Sequence, residues 1–250
     1  MDKNFVTYKL FRTPENVLAF TTTKKSIAET APRFTGDSKA VFASSRKQLA
    51  NVLGVEQNQL VFPRQTHTNN VVEVLEIPEM EIENCDALIT NRPGICICVQ
   101  TADCVPILLF DPVNKVIAAI HAGWRGTVKK IIAVAIAKMV AGYNSAPANI
   151  LATVGASIGP EVYEVGYEVV NAVQKAVPNA EKTLHQNNSG KYHFNLWEAN
   201  RQILIESGVL PQNIEITGEC SFKKNDKYFS ARRDGIETGR MVTGIMLRTE

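Results

Sequence analysis

Between Leu60 and Ile120 the chain runs through a series of short apolar, β-branched stretches, and these narrow the folds open to it more than any other feature. The stretches are 59–62, 71–75, 87–90, 95–101, 105–110 and 116–120, each too short for a helix and most of them bounded by turn residues. Asn91-Arg92-Pro93-Gly94 and Asp111-Pro112-Val113-Asn114 are compact turn sequences, so antiparallel pairing of neighbours is expected. Further strands are predicted at 17–23, 150–154, 214–217 and 241–247. Helices are predicted from an Asp37-Ser38 cap to 53 before Gly54, at 127–140 with apolar residues all round, at 167–177 before Pro178, and at 196–207 before Gly208. No repeat, low-complexity tract or linker divides the chain, and 250 residues suffice for a large core. The mixed order reads as one α+β domain over residues 1–250, with helices packed on a mixed β-sheet.

Charge and cysteine content exclude several classes. A net charge of +2 with scattered basic residues gives no nucleic-acid-binding stripe. Residues 1–12 hold no apolar run of leader length and no segment approaches a membrane span, so a cytoplasmic protein without membrane partners is expected. Five Cys, at 85, 96, 98, 104 and 220, are odd in number and unevenly spaced, which reads as reduced thiols.

Three segments place a soft-metal ligand beside small or glycine residues: Gln65-Thr66-His67, Thr101-Ala102-Asp103-Cys104 and His121-Ala122-Gly123-Trp124-Arg125-Gly126. Two imidazoles and a thiolate suit zinc or copper, and three protein ligands leave one coordination position for water or substrate. If 105–110 and 116–120 pair through the Asp111-to-Asn114 turn, Cys104 falls opposite His121 at the open end of a hairpin. His67 has to arrive from a separate strand end. Other readings stand beside this one. Cys96 and Cys98 share one strand face as a rival ligand pair, although their apolar neighbours favour inert buried thiols. His185 and His193 lie in a polar stretch and read as loop residues. Gly155-Ala156-Ser157-Ile158-Gly159 fits a nucleophile elbow, which needs a strand-turn-helix and a later His, or else it is simply a tight glycine turn. Arg232-Arg233-Asp234-Gly235 and Arg125 offer planar donors for phosphate or carboxylate, with an exposed Arg–Asp ion pair as the plain alternative.

These segments, together with Ile158-Gly159-Pro160, Phe229-Ser230 and Thr238-Gly239, resemble the laccase-domain family in order from about residue 15 to the end. That family is also described as multicopper polyphenol oxidoreductase, purine nucleoside phosphorylase and peptidoglycan editing factor. The resemblance implies α/β/α layers and a zinc, with copper as the alternative ion, on His67, Cys104 and His121. It also implies phosphorolysis of adenosine, inosine, guanosine and methylthioadenosine, with adenosine deamination as a side activity; protein partners are not implied. In this reading Asp103 and Arg233 are the catalytic candidates. Arg64, Gln65, Arg125 and Asp234 are the substrate-binding ones, with Arg233, Arg125 or Arg64 taking phosphate. Should Asp103 instead lie in the second shell, it would anchor Arg125 or a ligand histidine. Two alternatives remain, a hydrolase editing peptidoglycan precursors and a copper-dependent polyphenol oxidase, and the second is disfavoured because four His are too few for a multicopper cluster. The chain departs from the family pattern at Thr68, where Gly is usual, and at Gly218-Glu219-Cys220-Ser221, where the last residue is usually Thr.

Overall fold

A computed structural model describes residues 4–11 and 16–249; the reading of residues 1–12 as free of a leader lies partly outside them. In chain order the strands are β1 (Phe5–Val6), β2 (Val17–Thr22), β3 (Leu60–Val61), β4 (Val71–Glu73), β5 (Ala87–Thr90), β6 (Cys96–Thr101), β7 (Val105–Asp111), β8 (Val116–Ala122), β9 (Leu151–Val154), β10 (Glu164–Val165), β11 (Leu184–Gln186), β12 (Tyr192–Phe194), β13 (Ile214–Ile216) and β14 (Met241–Leu247). The helices are α1 (Lys39–Leu53), α2 (Trp124–Val128), α3 (Ile131–Tyr143), α4 (Tyr167–Ala176), α5 (Leu196–Glu206) and α6 (Ala231–Asp234).

The α+β expectation holds, and the β layer between the helices is itself double. One sheet has the order β1-β2-β14-β6-β3, a second β13-β9-β7-β8-β5-β4, and a small third sheet is β10-β12-β11. Alternation along each strand explains the stacking. Ala19, Ile97, Val99 and Ile245 of the first sheet meet Leu108, Phe110, Ile117 and Ala119 of the second in one core. The opposite face of the first sheet, with Phe20, Cys98 and Val242, packs on Leu49 and Ala50 of α1. The opposite face of the second, with Ile107, Leu109, Ala118 and Ile120, packs on α3, α4 and α5. Strands covered on both faces must be apolar throughout, which is why β7 and β8 are buried at every position.

Three expectations are corrected. The antiparallel rule holds for β7 with β8, but β3 lies parallel to β6, β4 to β5 and β13 to β9, because longer connections join those pairs. The helix predicted at 127–140 is two helices, broken at Lys130, whose φ of 55° is left-handed. α2 touches α4, α5 and β8, with Thr127 Oγ1 donating to Asn200 Oδ1 at 3.3 Å, and α3 continues over β8, β5 and α5. His185 and His193 are not in a loop; they face each other across the β11–β12 pair. No helix among the described residues is long and apolar enough to cross a membrane.

Candidate functional site

The hairpin of β7 and β8 supplies two of the proposed ligands. Its register pairs Pro106 with His121 and Val105 with Ala122, two positions away from the expected Cys104–His121 match. Asp111 stays in the strand and its carboxylate accepts the N–H groups of Val113 and Asn114, while Lys115 closes the turn with φ 52°, so the loop is Pro112 to Lys115. An even offset preserves strand parity, and Cys104 and His121 still meet at the hairpin's open end. Gly123 lies beside them, where a Cβ would stand 2.9 Å from Cys104 Sγ and 3.2 Å from the His67 ring, so only glycine leaves the cluster its room.

His67 arrives on a turn wound around one buried carboxylate. Asp86, immediately before β5, accepts the backbone N–H groups of His67 at 3.0 Å and Thr68 at 2.7 Å, and the Thr68 hydroxyl at 2.7 Å. That grip supports the left-handed φ of 60° at His67. The same carboxylate lies 2.8 Å from His121 Nδ1, which leaves Nε2 of that ring for the cluster. Sequence reasoning missed Asp86, whose only signal is a charged residue opening a wholly buried strand.

One potential metal-ligand atom from each of His67, Cys104 and His121 lies within 4.8 Å of the other two, the one such group of three or more His, Cys, Asp or Glu among the described residues. Cys104 Sγ is 3.9 Å from His67 Nε2. Tetrahedral zinc, with Zn–S of about 2.3 Å and Zn–N of about 2.0 Å, holds such atoms about 3.6 Å apart, so the donors fit a zinc-sized ion after a small contraction. The electrostatics agree with metal readiness. Burial opposes ionisation of Cys104, yet the His121 and His67 rings bring its thiol down to about 6. Burial likewise opposes protonation of His121, and the Cys104 thiolate and Asp86 raise it to about 9. Asp86 is held well below the carboxylate range because its hydrogen bonds outweigh its burial. A cation replacing the imidazolium proton keeps this charge balance.

The cluster opens into a cavity of about 490 Å³ whose walls include Gln65, Tyr163, Arg33, Arg232 and Arg240. A smaller chamber of about 150 Å³ on its other side is lined by Trp124, Arg125, Tyr163, Ile158 and Leu196. Arg125, stacked on Trp124 at 4.3 Å, is thus brought to the site. Several other candidates are committed elsewhere. Gln65 fixes its amide against both backbone groups of Gln100, at 2.8 Å each, which leaves one N–H and one oxygen lone pair at the cavity wall. Arg233 donates to the carbonyls of Ser221, Phe222 and Tyr228 and pairs with Asp234, forming a loop clamp that does not line the cavity. Arg64 pairs with Asp37 and Glu83 outside it. Asp103 bends the chain with φ 96° and accepts from Ser221 Oγ, Ser230 Oγ and Arg232 N, at 2.6, 3.0 and 2.7 Å. Its geometry positions the Arg232 segment, anchoring neither Arg125 nor a ligand histidine. The arginines that do reach the cavity besides Arg125 are Arg33, Arg232 and Arg240, which lie far apart in sequence and carry no local motif except for Arg232.

The rival sites do not assemble. Ser157 is buried, receives Trp197 Nε1 at 2.6 Å, and is followed by loop and a two-residue strand before α4, with His193 turned to the Pro160 carbonyl. Cys96 and Cys98 are buried against α1 with their sulfurs 3.7 Å apart, and all five cysteines are free thiols.

Residues 29–248 match the family described as multi-copper polyphenol oxidoreductase laccase. A purine nucleoside phosphorylase of Bacteroides thetaiotaomicron is 34% identical over 98% of this chain and 97% of its own length. Adenosine deaminase RL5, from an unknown prokaryotic organism, is 42% identical over 85% of this chain and 84% of its own. The crystal structure of YlmD from Geobacillus stearothermophilus superposes with a TM-score of 0.91 at 26% identity, covering 100% of this chain and 98% of that one. With most of its length matched, the chain belongs to the multi-copper polyphenol oxidoreductase laccase family.

Proposed function

We propose that the protein is a zinc-dependent purine nucleoside phosphorylase acting on adenosine, inosine, guanosine and methylthioadenosine, with adenosine deamination as a side activity. The observation that carries this reading is the three-donor His67–Cys104–His121 group opening on a cavity walled by arginines and the Tyr163 ring. Three donors suit a catalytic ion, since a structural zinc closes with four. Bound there, zinc supplies Lewis acidity and an acidified water.

In phosphorolysis a phosphate oxygen bonds to ribose C1′ as the C1′–N9 bond breaks; the bond pair leaves on the purine, which takes up a proton. The chain's own residues prepare this. Tyr163 and Trp124 offer ring faces to a base beside the cluster. Arg232, fixed through its backbone by Asp103 and lying 5.3 Å over the Tyr163 ring, holds positive charge at the same wall. Asp86 sets the orientation of both histidines. The 42% identity to a protein named adenosine deaminase supports water attack at adenine C6 as the second activity. A multicopper oxidase gains no support, since His185 and His193 lie on the small third sheet and do not join the metal group.

The test is chromatographic. Holoprotein incubated with adenosine and phosphate is expected to yield adenine and ribose 1-phosphate, and with adenosine alone inosine and ammonia. Absence of ribose 1-phosphate with every purine nucleoside tried would contradict the reading, and turnover only of a serine-bearing muropeptide precursor would favour the editing hydrolase.

A further inference from the structure

Arg33 and Arg240 enter the large cavity from opposite ends of the sequence and meet at one acceptor. Arg33 Nη2 donates to the Ile236 carbonyl at 3.0 Å, and Arg240 Nη2 donates to the same oxygen at 2.9 Å. Two guanidinium groups therefore stand side by side in the wall of the cavity that holds the metal ligands. Among the described residues neither forms an ion pair with a buried carboxylate; the remaining Arg240 hydrogen bonds go to the carbonyls of Thr238 and Gly239, and Cys104 and Asp103 favour its charge only at longer range. Arg33 reaches Glu237 at 3.4 Å, but that carboxylate is 92% exposed and so is strongly screened. Asp103, the carboxylate lining this cavity, is already occupied by Ser221, Ser230 and the Arg232 N–H. Burial and the neighbouring Arg33 charge bring Arg240 down to about 10, which still leaves it cationic at neutral pH.

We propose that the Arg33–Arg240 pair is an oxyanion subsite for a phosphoryl group, filled by the inorganic phosphate consumed in the reaction. This assignment of the co-substrate rests on the phosphorolytic reading above. Arg33 keeps Nε and Nη1 uncommitted, Arg240 keeps Nε and one Nη2 hydrogen, and a dianion beside them replaces mutual repulsion with two attractions. The two carbonyl-bound arms fix the forks in advance, so little side-chain freedom remains to be lost on binding. Arg233, by contrast, has its charge neutralised by Asp234, and Arg64 does not line the cavity. Free phosphate and the phosphate of a nucleotide share this chemistry, so the test must separate them.

Calorimetric titration of the holoprotein and of Arg240→Gln and Arg33→Gln with inorganic phosphate, and in parallel with AMP, reads the subsite without turnover. Loss of one charge-assisted fork is expected to weaken phosphate binding at least about tenfold in each variant, with zinc content unchanged as the control for folding. In the phosphorolysis assay KM for phosphate rises by the same factor while KM for adenosine moves less than about twofold. Arg33→Lys, which keeps charge but loses the fork, weakens binding to an intermediate degree and serves if a glutamine variant does not fold. AMP binding that depends on both arginines, with no binding of free phosphate, overturns the free-phosphate assignment in favour of a nucleotide. Wild-type affinity for both anions in the variants, or no anion binding by the holoprotein, overturns the subsite. Arginine-dependent phosphate binding without ribose 1-phosphate formation counts against phosphorolysis and leaves the subsite standing.

Discussion

Replacing Asp86 by Asn keeps the volume of the side chain and removes the charge that organises two ligands at once. Its amide would turn a donor toward a set of donors: the N–H groups of His67 and Thr68, the Thr68 hydroxyl and the His121 ring. Outer partners of this kind are worth about 10–100-fold in metal affinity, so Asp86→Asn is expected to lower zinc affinity by that factor in a chelator competition. Unchanged affinity would remove Asp86 from the account. The grouping of His67, Cys104 and His121 was legible from residue type, because one thiol and two imidazoles beside small or glycine residues carry their chemistry in the local sequence. Asp86 was not, since a buried carboxylate reveals its role only through what folds onto it. The same limit applies to Arg33 and Arg240, whose shared acceptor exists only once β14 lies beside β2 and β6.

Among elements, β14 and α1 were readable nearly to the residue, from a mostly apolar run in one case and from the Gly54 stop in the other. The break at Lys130 was not, because apolar residues flank it on both sides and nothing local marks a lysine for a left-handed φ. Gly244, in the middle of β14, marks a different constraint. A Cβ there would stand 2.7 Å from the Phe20 ring and 2.8 Å from Cys98 Sγ, so Gly244→Ala is expected to destabilise by about 1–3 kcal/mol through overpacking, read by urea unfolding. The loop carrying Glu219 gives a pH signature. Glu219 accepts from Lys224 and Lys227 at 2.7 Å each and from the Tyr228 hydroxyl. Burial opposes its ionisation, but these partners lower it from 4.5 to about 2. A carboxyl depressed in the folded state stabilises above its unfolded value, and that stabilisation is lost as pH falls from 4.5 toward 2. Wild-type protein should therefore lose more stability than Glu219→Gln across that window, and parallel losses would show that the cluster does not favour the folded state.

At the scale of the molecule, the sequence contained the α+β class but not the pairing of two sheets face to face. The Asn91-to-Gly94 turn reads as joining antiparallel neighbours, yet β5 and β6 belong to different sheets, and the segment after β6 bends at Asp103 to deliver Cys104. Two sheets thus converge on the site. The second brings Cys104, His121 and, through Asp86, His67, while the first brings Gln100 and Thr101 at the end of β6 and Arg240 at the start of β14. The central claim is that this convergence builds a site for one catalytic ion with a face open to the cavity. Anomalous diffraction at the zinc edge, from crystals of protein purified without added metal, tests it most directly. The account predicts one peak bonded to His67, Cys104 and His121 with its remaining coordination directed into the cavity; no peak there after zinc addition, or a fourth protein ligand closing the tetrahedron, would contradict it.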